Sequence, residues 1–223
     1  MSDMFVVEII ICAIAAYLIG SISFGYIIGK DAGVDIRKSG SGNIGTTNAL
    51  RTLGVKAGLL TFVGDFFKAF LPCFAARLIS IHVFGDSEDF SYLVGLITGL
   101  FATLGHNFPF WMHFKGGKGI AVTAGVTVAM SYEHWYFPVI AVLLFVIIVI
   151  ITKYVSVGSL CVPAIALPTY ALIFKRDNTY FTAIIIISIL FTILAFIKHA
   201  PNIKRLLNGT ENKLFGSKKK DNI

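Results

Sequence analysis

The chain has 223 residues, of which 56% are hydrophobic and 14% are charged, and its formal net charge is +7. With a mean hydropathy of +0.81, it carries more apolar surface than a soluble core of this length could bury, which excludes a soluble globular protein. The basic residues form no stripe interleaved with aromatics, so the composition indicates a polytopic membrane protein and no nucleic-acid partner.

The apolar runs predict an all-α integral membrane protein with about seven transmembrane helices, because about 20 apolar residues of helix cross a bilayer. The first run is not a signal peptide, since Asp3 and Glu8 stand where basic residues are expected. We expect residues 1–223 to form one membrane-embedded domain that ends in a cytoplasmic tail at 198–223. The predicted crossings are 4–28, 54–83, 92–104, 120–130, 135–151, 160–174 and 180–197, of which 120–130 is short for a full span.

A glycine-rich polar island at residues 39–51 separates the first two predicted crossings. It combines glycines, hydroxyl side chains, asparagines and Arg51, and it contains no carboxylate. Glycines allow successive backbone N–H groups to converge on an anion, and an arginine adds a planar fork for two hydrogen bonds. The island therefore predicts an anion-binding loop, with a flexible glycine/serine linker as the alternative.

Asp65, Lys68 and Arg77 lie within the second predicted crossing, where charged side chains are costly unless they pair or face the interior of the bundle. Asp65 and Lys68 are three residues apart and so share one helix face. Two interpretations stay open for them, a structural ion pair and a contribution to a polar pocket.

Two further polar blocks follow later in the chain. The first, at 105–119, includes His106 and ends in a Gly-Gly-Lys-Gly run around Lys118. It is not a Walker A loop, because no Ser or Thr follows Lys118, so nucleotide hydrolysis is not supported. The second block begins at His199. Each of these two histidines is either a site residue or a polar interface residue.

The basic residues predict the orientation of the chain. With the amino terminus outside and the carboxyl terminus in the cytoplasm, most of the 19 Lys and Arg residues lie on the cytoplasmic side, as the positive-inside rule requires. The polar island, the 105–119 block, a turn at Ser156 and the basic tail then share that face. Donor-rich loops that meet at one membrane surface favour a site for an anionic ligand over a linker. No pattern typical of a metal site or of a serine hydrolase occurs, so we expect no metal and no cofactor.

The blocks at 40–51, 105–119 and 199–213 resemble the three motifs of the bacterial acyl-phosphate-dependent glycerol-3-phosphate acyltransferases, the PlsY family. The resemblance covers essentially the whole chain apart from the last lysine-rich residues. It implies a multi-pass enzyme of the bacterial inner membrane whose active site faces the cytoplasm. Such an enzyme moves a fatty acyl group from acyl phosphate to the sn-1 hydroxyl of glycerol 3-phosphate, giving lysophosphatidic acid and phosphate in the first step of phospholipid synthesis. The resemblance also implies a functional link to an enzyme that produces acyl phosphate.

The resemblance assigns the site residues as well. Lys118 matches a phosphate-binding lysine, with Lys115 as the alternative, and Lys198 departs from the family at a position where glycine is expected. Glu211 and Lys213 belong to the third motif without a defined role. The expected catalytic residues are His199, Lys118, Arg51 and Asn202. The expected substrate-binding residues are Ser41, Gly42, Asn43, Gly45, Thr46, Thr47, Asn48, Lys115, Ser156 and Arg205.

Acyl phosphate is already activated, so the protein has only to orient a hydroxyl and to stabilise charge on the carbonyl oxygen and the departing phosphate. Arg51, Lys118 and backbone N–H groups of the island suit that task. No histidine is followed by an aspartate at the spacing of the commoner glycerolipid acyltransferases. The general base is therefore either His199 or an oxygen of the substrate phosphate.

Two other functions remain as alternatives at this point. A transporter of an organic phosphate would also use glycines, intramembrane charges and basic residues. Against it, the polar residues cluster on one face, and the two halves of the chain do not repeat. A non-catalytic protein that binds anionic lipid would use Lys218, Lys219 and Lys220, which are read more simply as a solvated tail.

Overall fold

The computed structural model describes residues 3–214, and all regular structure in that range is helical, as predicted. The lysines at 218–220, which one alternative placed against lipid headgroups, lie outside the described residues. The ten α-helices of the described range are α1 (Asp3–Gly20), α2 (Phe24–Asp31), α3 (Thr46–Leu53), α4 (Val55–Ile79), α5 (Glu88–Asn107), α6 (Ile120–Met130), α7 (Tyr136–Thr152), α8 (Val155–Cys161), α9 (Pro163–Phe174) and α10 (Phe181–Leu207).

Among residues 3–214, five helical stretches are long and apolar enough to cross a membrane, which agrees with an integral membrane protein. They are Met4–Asp31, Val55–Phe84, Glu88–Met112, Val155–Phe174 and Phe181–Leu207. The other two predicted crossings correspond to α6 and α7, which are shorter apolar helices. The number of seven crossings and their orientation therefore stay predictions.

α5 is the most buried of the long helices and packs against α1, α4, α6 and α10. Gly20 of α1 and Gly105 of α5 allow the two backbones to approach closely. A Cβ on Gly105 would overlap the carbonyl oxygen of Tyr17, and one on Gly20 would overlap that of Ala102. Such close contacts between small residues are typical of helices packed within a membrane. α7, by contrast, buries only Val149 and exposes apolar side chains around the rest of its surface.

The first predicted crossing is broken between α1 and α2. Ser23 caps α2 by accepting a hydrogen bond from the backbone N–H of Tyr26, with Oγ and N 3.4 Å apart. Because the helix is interrupted there, the carbonyl group of Ile22 accepts no hydrogen bond from the backbone of a helix within residues 3–214. That carbonyl accepts a hydrogen bond from Lys68 of α4 at 2.6 Å, which joins the first crossing to the second.

The end of α10 and the local fold of the polar island differ from the sequence prediction. α10 does not end at Ile197 but continues through Pro201 to Leu207, so the third motif begins on a helix and not in a tail. One face of α10 is buried, and its spacing of three to four residues carries on through Ala195, His199 and Asn202. In addition, α3 forms inside the polar island, and Ser156 lies in the first turn of α8 and not in a turn between helices.

Candidate active site

A cavity of about 310 Å³ lies where the polar island, α4, the loop before α6, α8 and the end of α10 meet. One part of its wall is apolar and includes Phe62, Phe145 and Val149. The other part is polar and comes from all three motif blocks. The polar side chains of the wall are Ser41, Asn43, Thr46, Thr47, Asn48, Arg51, Asp65, His106, Lys118, Ser156, Ser159, His199, Asn202, Arg205, Glu211 and Asn212.

The cavity brings together most of the residues that the sequence assigned to the site. Gly42 and Lys115 are the exceptions, since neither lines the cavity and the side chain of Lys115 is exposed. Of the two candidate lysines, only Lys118 reaches the cavity wall. The predicted residues at the wall are Ser41, Asn43, Gly45, Thr46, Thr47, Asn48, Arg51, Lys118, Ser156, His199, Asn202 and Arg205.

Asn48 shapes the polar island from within. Its Oδ1 accepts a hydrogen bond from the backbone N–H of Ser41 at 2.8 Å, while its Nδ2 donates to the carbonyl groups of Ile36 and Ser39 at 3.1 and 3.0 Å. The side chain is buried and already has three partners. Asn48 was expected to contact substrate, but the structure gives its amide the role of holding the loop in shape.

The amino-terminal end of α3 forms one side of the cavity. Gly45 is the N-cap, and it supplies no side-chain cap to the first backbone N–H groups of the helix. The hydroxyl group of Thr46 is fully enclosed and has no hydrogen-bond partner within residues 3–214. Uncapped N–H groups at a helix start carry partial positive charge, and Arg51 on the same helix adds a full one. This wall is therefore suited to a phosphate group.

Glu211 connects polar residues in a further part of the cavity wall. It accepts hydrogen bonds from Ser156 Oγ at 3.1 Å, from Asn202 Nδ2 at 2.7 Å and from Arg205 Nε at 2.7 Å. Lys118 Nζ joins this network by donating to Asn202 Oδ1 at 2.6 Å. Side chains from α8, α10 and the loop before α6 are thereby held in one arrangement around a single carboxylate.

The charges of this wall influence one another. Burial, followed by the positive charges of Arg205, Arg51 and Lys198, lowers the pKa of Lys118 to about 8, although Glu211 acts in the opposite direction. Burial would raise the pKa of the Glu211 carboxyl group, but hydrogen bonds from Asn202 and Arg205 outweigh it and leave that pKa lowered. Near neutral pH the network therefore contains Lys118 and Arg205 as cations and Glu211 as an anion. Arg51 adds a further cation beside it, since its guanidinium group donates a hydrogen bond to the carbonyl group of Asn212 at 3.3 Å.

His199 is buried at the end of the cavity on α10. Its Nδ1 lies 2.8 Å from the carbonyl oxygen of Ala195, which can only accept a hydrogen bond. The ring proton is therefore on Nδ1, and Nε2 keeps its lone pair. Such a tautomer can accept a proton from a hydroxyl group in the cavity.

Lys198 departs from the expected glycine, and the structure gives it a structural contact. Its Nζ donates a hydrogen bond to the carbonyl group of Asn107 at 2.8 Å and lies 4.6 Å from the ring centre of Phe108. The backbone N–H of Gly116 donates to the same carbonyl group at 3.1 Å. Lys198 thus ties α10 to the segment that leads to Lys118.

Five polar wall residues were not among the expected catalytic and substrate-binding residues, namely Asp65, His106, Ser159, Glu211 and Asn212. Asp65 and Lys68 form a buried ion pair at 2.8 Å, and Lys68 Nζ also lies 2.9 Å from His106 Nδ1. Both interpretations of Asp65 and Lys68 thus hold in part, because the pair is structural and Asp65 also lines the cavity. Asp65 and Lys68 could be singled out in the sequence because they are charged residues in an apolar span. Nothing in the sequence showed that His106 contacts Lys68.

Within residues 3–214 no three His, Cys, Asp or Glu side chains come together in an arrangement that could hold a metal ion. The donors of the cavity are instead ammonium, guanidinium, hydroxyl, amide and backbone N–H groups. That set suits the oxygen atoms of a phosphate ester or anhydride.

Most of the chain is similar in sequence to known proteins of one family. Residues 10–209 match the family model described as glycerol-3-phosphate acyltransferase. A relative of that name from Clostridioides difficile is 42% identical over 218 residues, which cover 94% of this chain and 97% of the relative. Another from Bacillus subtilis is 41% identical over 202 residues, covering 90% of this chain and 95% of the relative.

Two crystal structures of PlsY, described as an integral membrane glycerol 3-phosphate acyltransferase, are also similar. The glycerol 3-phosphate form has a TM-score of 0.78 and 37% identity, and the match covers 93% of this chain and 96% of that one. The lysophosphatidic acid form has a TM-score of 0.74 and 38% identity, with 93% and 95% covered.

Proposed function

The chain belongs to the glycerol-3-phosphate acyltransferase family, and from that premise we propose that it transfers a fatty acyl group from acyl phosphate to the sn-1 hydroxyl of glycerol 3-phosphate. The products are lysophosphatidic acid and inorganic phosphate. The observation that carries the proposal is one cavity whose polar lining includes Arg51, Lys118 and Arg205 and whose remaining lining is apolar. Two substrates that each bear a phosphate, one of them with a fatty chain, match that combination.

The amino-terminal end of α3 and Arg51 bind one phosphate group. Lys118 and Arg205, held by Asn202 and Glu211, bind the other. These cations offset the mutual repulsion of two anionic substrates in one cavity. Because Val149 and Phe145 belong to α7, which is otherwise exposed and apolar, the fatty chain lies along that helix.

In the reaction the sn-1 oxygen of glycerol 3-phosphate forms a bond to the acyl carbonyl carbon, and the bond from that carbon to the phosphate oxygen breaks. The leaving phosphate departs with the bonding electron pair, which the cationic wall stabilises. His199 Nε2 takes the hydroxyl proton and later returns it to the phosphate. A phosphate oxygen of the substrate is the competing base, and an unchanged turnover number in His199→Ala at saturating glycerol 3-phosphate would assign the proton to it.

We also propose the membrane in which the enzyme lies and the side to which its cavity opens. The protein lies in the inner membrane of a bacterium with the cavity facing the cytoplasm, where soluble glycerol 3-phosphate enters. The donor is consumed rather than recycled, so an enzyme that makes acyl phosphate from another acyl carrier has to supply it. The basic residues of the three motif blocks support this orientation.

Donor identity is the part of the proposal that is tested most sharply. Protein purified in detergent is given glycerol 3-phosphate with palmitoyl phosphate or with a palmitoyl thioester. With glycerol 3-phosphate present, we expect inorganic phosphate and lysophosphatidic acid to form when palmitoyl phosphate is the donor, and no acyl transfer when the thioester is the donor. Acyl transfer from the thioester at a comparable rate would reject the assigned donor, and phosphate release that does not require glycerol 3-phosphate would indicate a hydrolase.

A further inference from the structure

Asp65, Lys68 and His106 form a buried polar cluster at the cavity wall, and no step of the reaction described above uses it. All three side chains are almost fully buried, and Asp65 and His106 line the cavity. Burying an ion pair is costly, and apolar residues of similar size often stabilise a protein as well or better. The position of this pair beside a cavity for anionic substrates therefore calls for a role in the site.

The hydrogen bonds of Lys68 fix the protonation of the histidine. Its Nζ lies 2.8 Å from Asp65 Oδ1, 2.6 Å from the carbonyl oxygen of Ile22 and 2.9 Å from His106 Nδ1. An ammonium group has N–H donors and no acceptor, so Nδ1 has to accept in its contact with Lys68. Asp65 Oδ1 is 3.6 Å from Nδ1, too far to compete as its partner. The ring proton of His106 is consequently on Nε2.

Nε2 lies on the ring edge away from Lys68 and has no hydrogen-bond partner within residues 3–214. It faces Gly117, whose missing side chain provides the space, because a Cβ there would overlap Nε2. The backbone N–H of Gly117 donates to the carbonyl group of His106 at 3.0 Å, which keeps the ring beside the loop that carries Lys118. An N–H donor is thus held in a fixed direction next to a phosphate-binding lysine.

We propose that His106 donates its Nε2–H to an oxygen of the bound acyl phosphate, and that Lys68 and Asp65 are positioning residues that hold the ring in this tautomer. The inference rests on the proposed function and adds a catalytic residue to it. No proton is transferred in this contact, so it needs no co-reactant. A neutral donor fixed before the substrate binds stabilises negative charge that develops on the oxygen and does not have to reorganise.

A pair of substitutions separates this role from a structural one. In His106→Asn the side-chain oxygen takes the place of Nδ1 and still accepts from Lys68, but the donor at Nε2 is lost. In His106→Gln the amide nitrogen takes the place of Nε2, and the acceptor for Lys68 is lost. The two variants thus remove opposite halves of the imidazole's function.

We expect His106→Asn to keep a melting temperature near that of the wild type and to lose about 100-fold in kcat, the effect of removing one such donor. His106→Gln should melt at a lower temperature and yet retain a kcat within about tenfold of the wild type. The proposal is overturned if His106→Asn turns over at the wild-type rate, or if kcat in the two variants follows their melting temperatures.

The tautomer is measured independently of activity by NMR on protein labelled with ¹⁵N-histidine, with His106→Asn used to assign the signal. The expected signal is that of a neutral ring protonated at Nε2, and added palmitoyl phosphate should shift it. A ring protonated at Nδ1, or a signal that palmitoyl phosphate leaves unchanged, contradicts the proposal. If the wild type makes no lysophosphatidic acid from the two substrates, the proposed function fails, while this measurement still tests the donor.

Discussion

Glu211 holds Arg205 directly, and Lys118 through Asn202, in one hydrogen-bonded network at the cavity. It accepts hydrogen bonds from Ser156, Asn202 and Arg205, and two of these are 2.7 Å long. Cations that bind phosphate would otherwise repel one another across the empty cavity. The carboxylate therefore prepares the site by lowering that repulsion before a substrate arrives.

Replacing Glu211 with Gln tests this role. A charge-assisted hydrogen bond contributes about 1.5–3 kcal/mol, so the change should raise KM for glycerol 3-phosphate or acyl phosphate about tenfold or more. Steady-state kinetics with each substrate varied in turn measures the effect. Glu133→Gln is the matched control, because Glu133 pairs with Arg77 and Lys175 away from the cavity. Equal KM values in Glu211→Gln and the wild type would contradict this role of Glu211.

Lys118 makes the reaction sensitive to alkaline pH. Its pKa is lowered to about 8, mainly by burial, so the side chain is a cation below that pH and loses its charge as the pH rises through it. Substrate phosphate then loses a binding partner, and kcat/KM should fall above about pH 8, since this ratio reports groups of the free enzyme. Lys118→Arg keeps its charge at every accessible pH, so its profile should lack this decline. A decline at the same pH in Lys118→Arg would assign it to another group.

At the scale of elements, α3 is the part of the fold that turns the polar island into a site. Its uncapped start and Arg51 both face the cavity, and Asn48 on the same helix ties it to the preceding loop. The helix and the loop therefore form one unit. The side-chain amide of Asn48 holds the loop against α3 and so keeps the start of this helix open toward the cavity.

Asn48→Asp provides a test with almost no change in shape. The new carboxylate can still accept from the N–H of Ser41, but it turns an oxygen toward the carbonyl groups of Ile36 and Ser39, where Nδ2 had donated. Leaving buried carbonyl groups without donors costs about 1–3 kcal/mol. We expect a lower melting temperature in detergent and a loss of kcat/KM. Asn178→Asp is the control, since that residue lies in the loop before α10 and away from the cavity. Wild-type values for Asn48→Asp would contradict the role of the amide.

At the scale of the whole molecule, polar clusters lie toward both ends of the bundle, and only one of them surrounds the cavity. The second cluster centres on Arg77 at the far end of α4, which pairs with Glu133 at 3.0 Å and lies 4.8 Å from the ring centre of Tyr132. The cavity is built around the opposite end of α4, next to Arg51. The proposed active site and the Arg77 cluster therefore lie toward different ends of α4.

The orientation of these ends is measured by labelling single cysteines in membrane vesicles. In a variant whose native cysteines are replaced with alanine, Lys115→Cys in the loop before α6 and Asp177→Cys in the loop before α10 are treated with an impermeant maleimide. The positive-inside rule predicts that Lys115→Cys is labelled only in inside-out vesicles and Asp177→Cys only in right-side-out vesicles. Labelling of both from one side would contradict the proposed topology.

Composition was sufficient to predict a helical membrane protein. The residue types of the 39–51 island predict an anion site, and the island does line the cavity, while its ligand stays a prediction. α3 was missed because it is only eight residues long and begins with three polar side chains, although Ala49 and Leu53 recur at helical spacing. The end of α10 was placed too early because His199 and Asn202 are polar, although they continue its buried face. The cluster of Asp65, Lys68 and His106 depends on a contact between two helices and on the break at Ile22, and no local pattern reveals either.

Acyl transfer to glycerol 3-phosphate in the cavity between α3 and α10 is decided by one assay. Lysophosphatidic acid formed from palmitoyl phosphate and glycerol 3-phosphate is measured with the purified protein and with two lysine variants. We expect the wild type and Lys115→Ala, whose side chain lies outside the cavity, to form the 1-acyl product at similar rates, and Lys118→Ala to lose at least about 100-fold. No product from the wild type, or equal rates from both variants, would contradict the account.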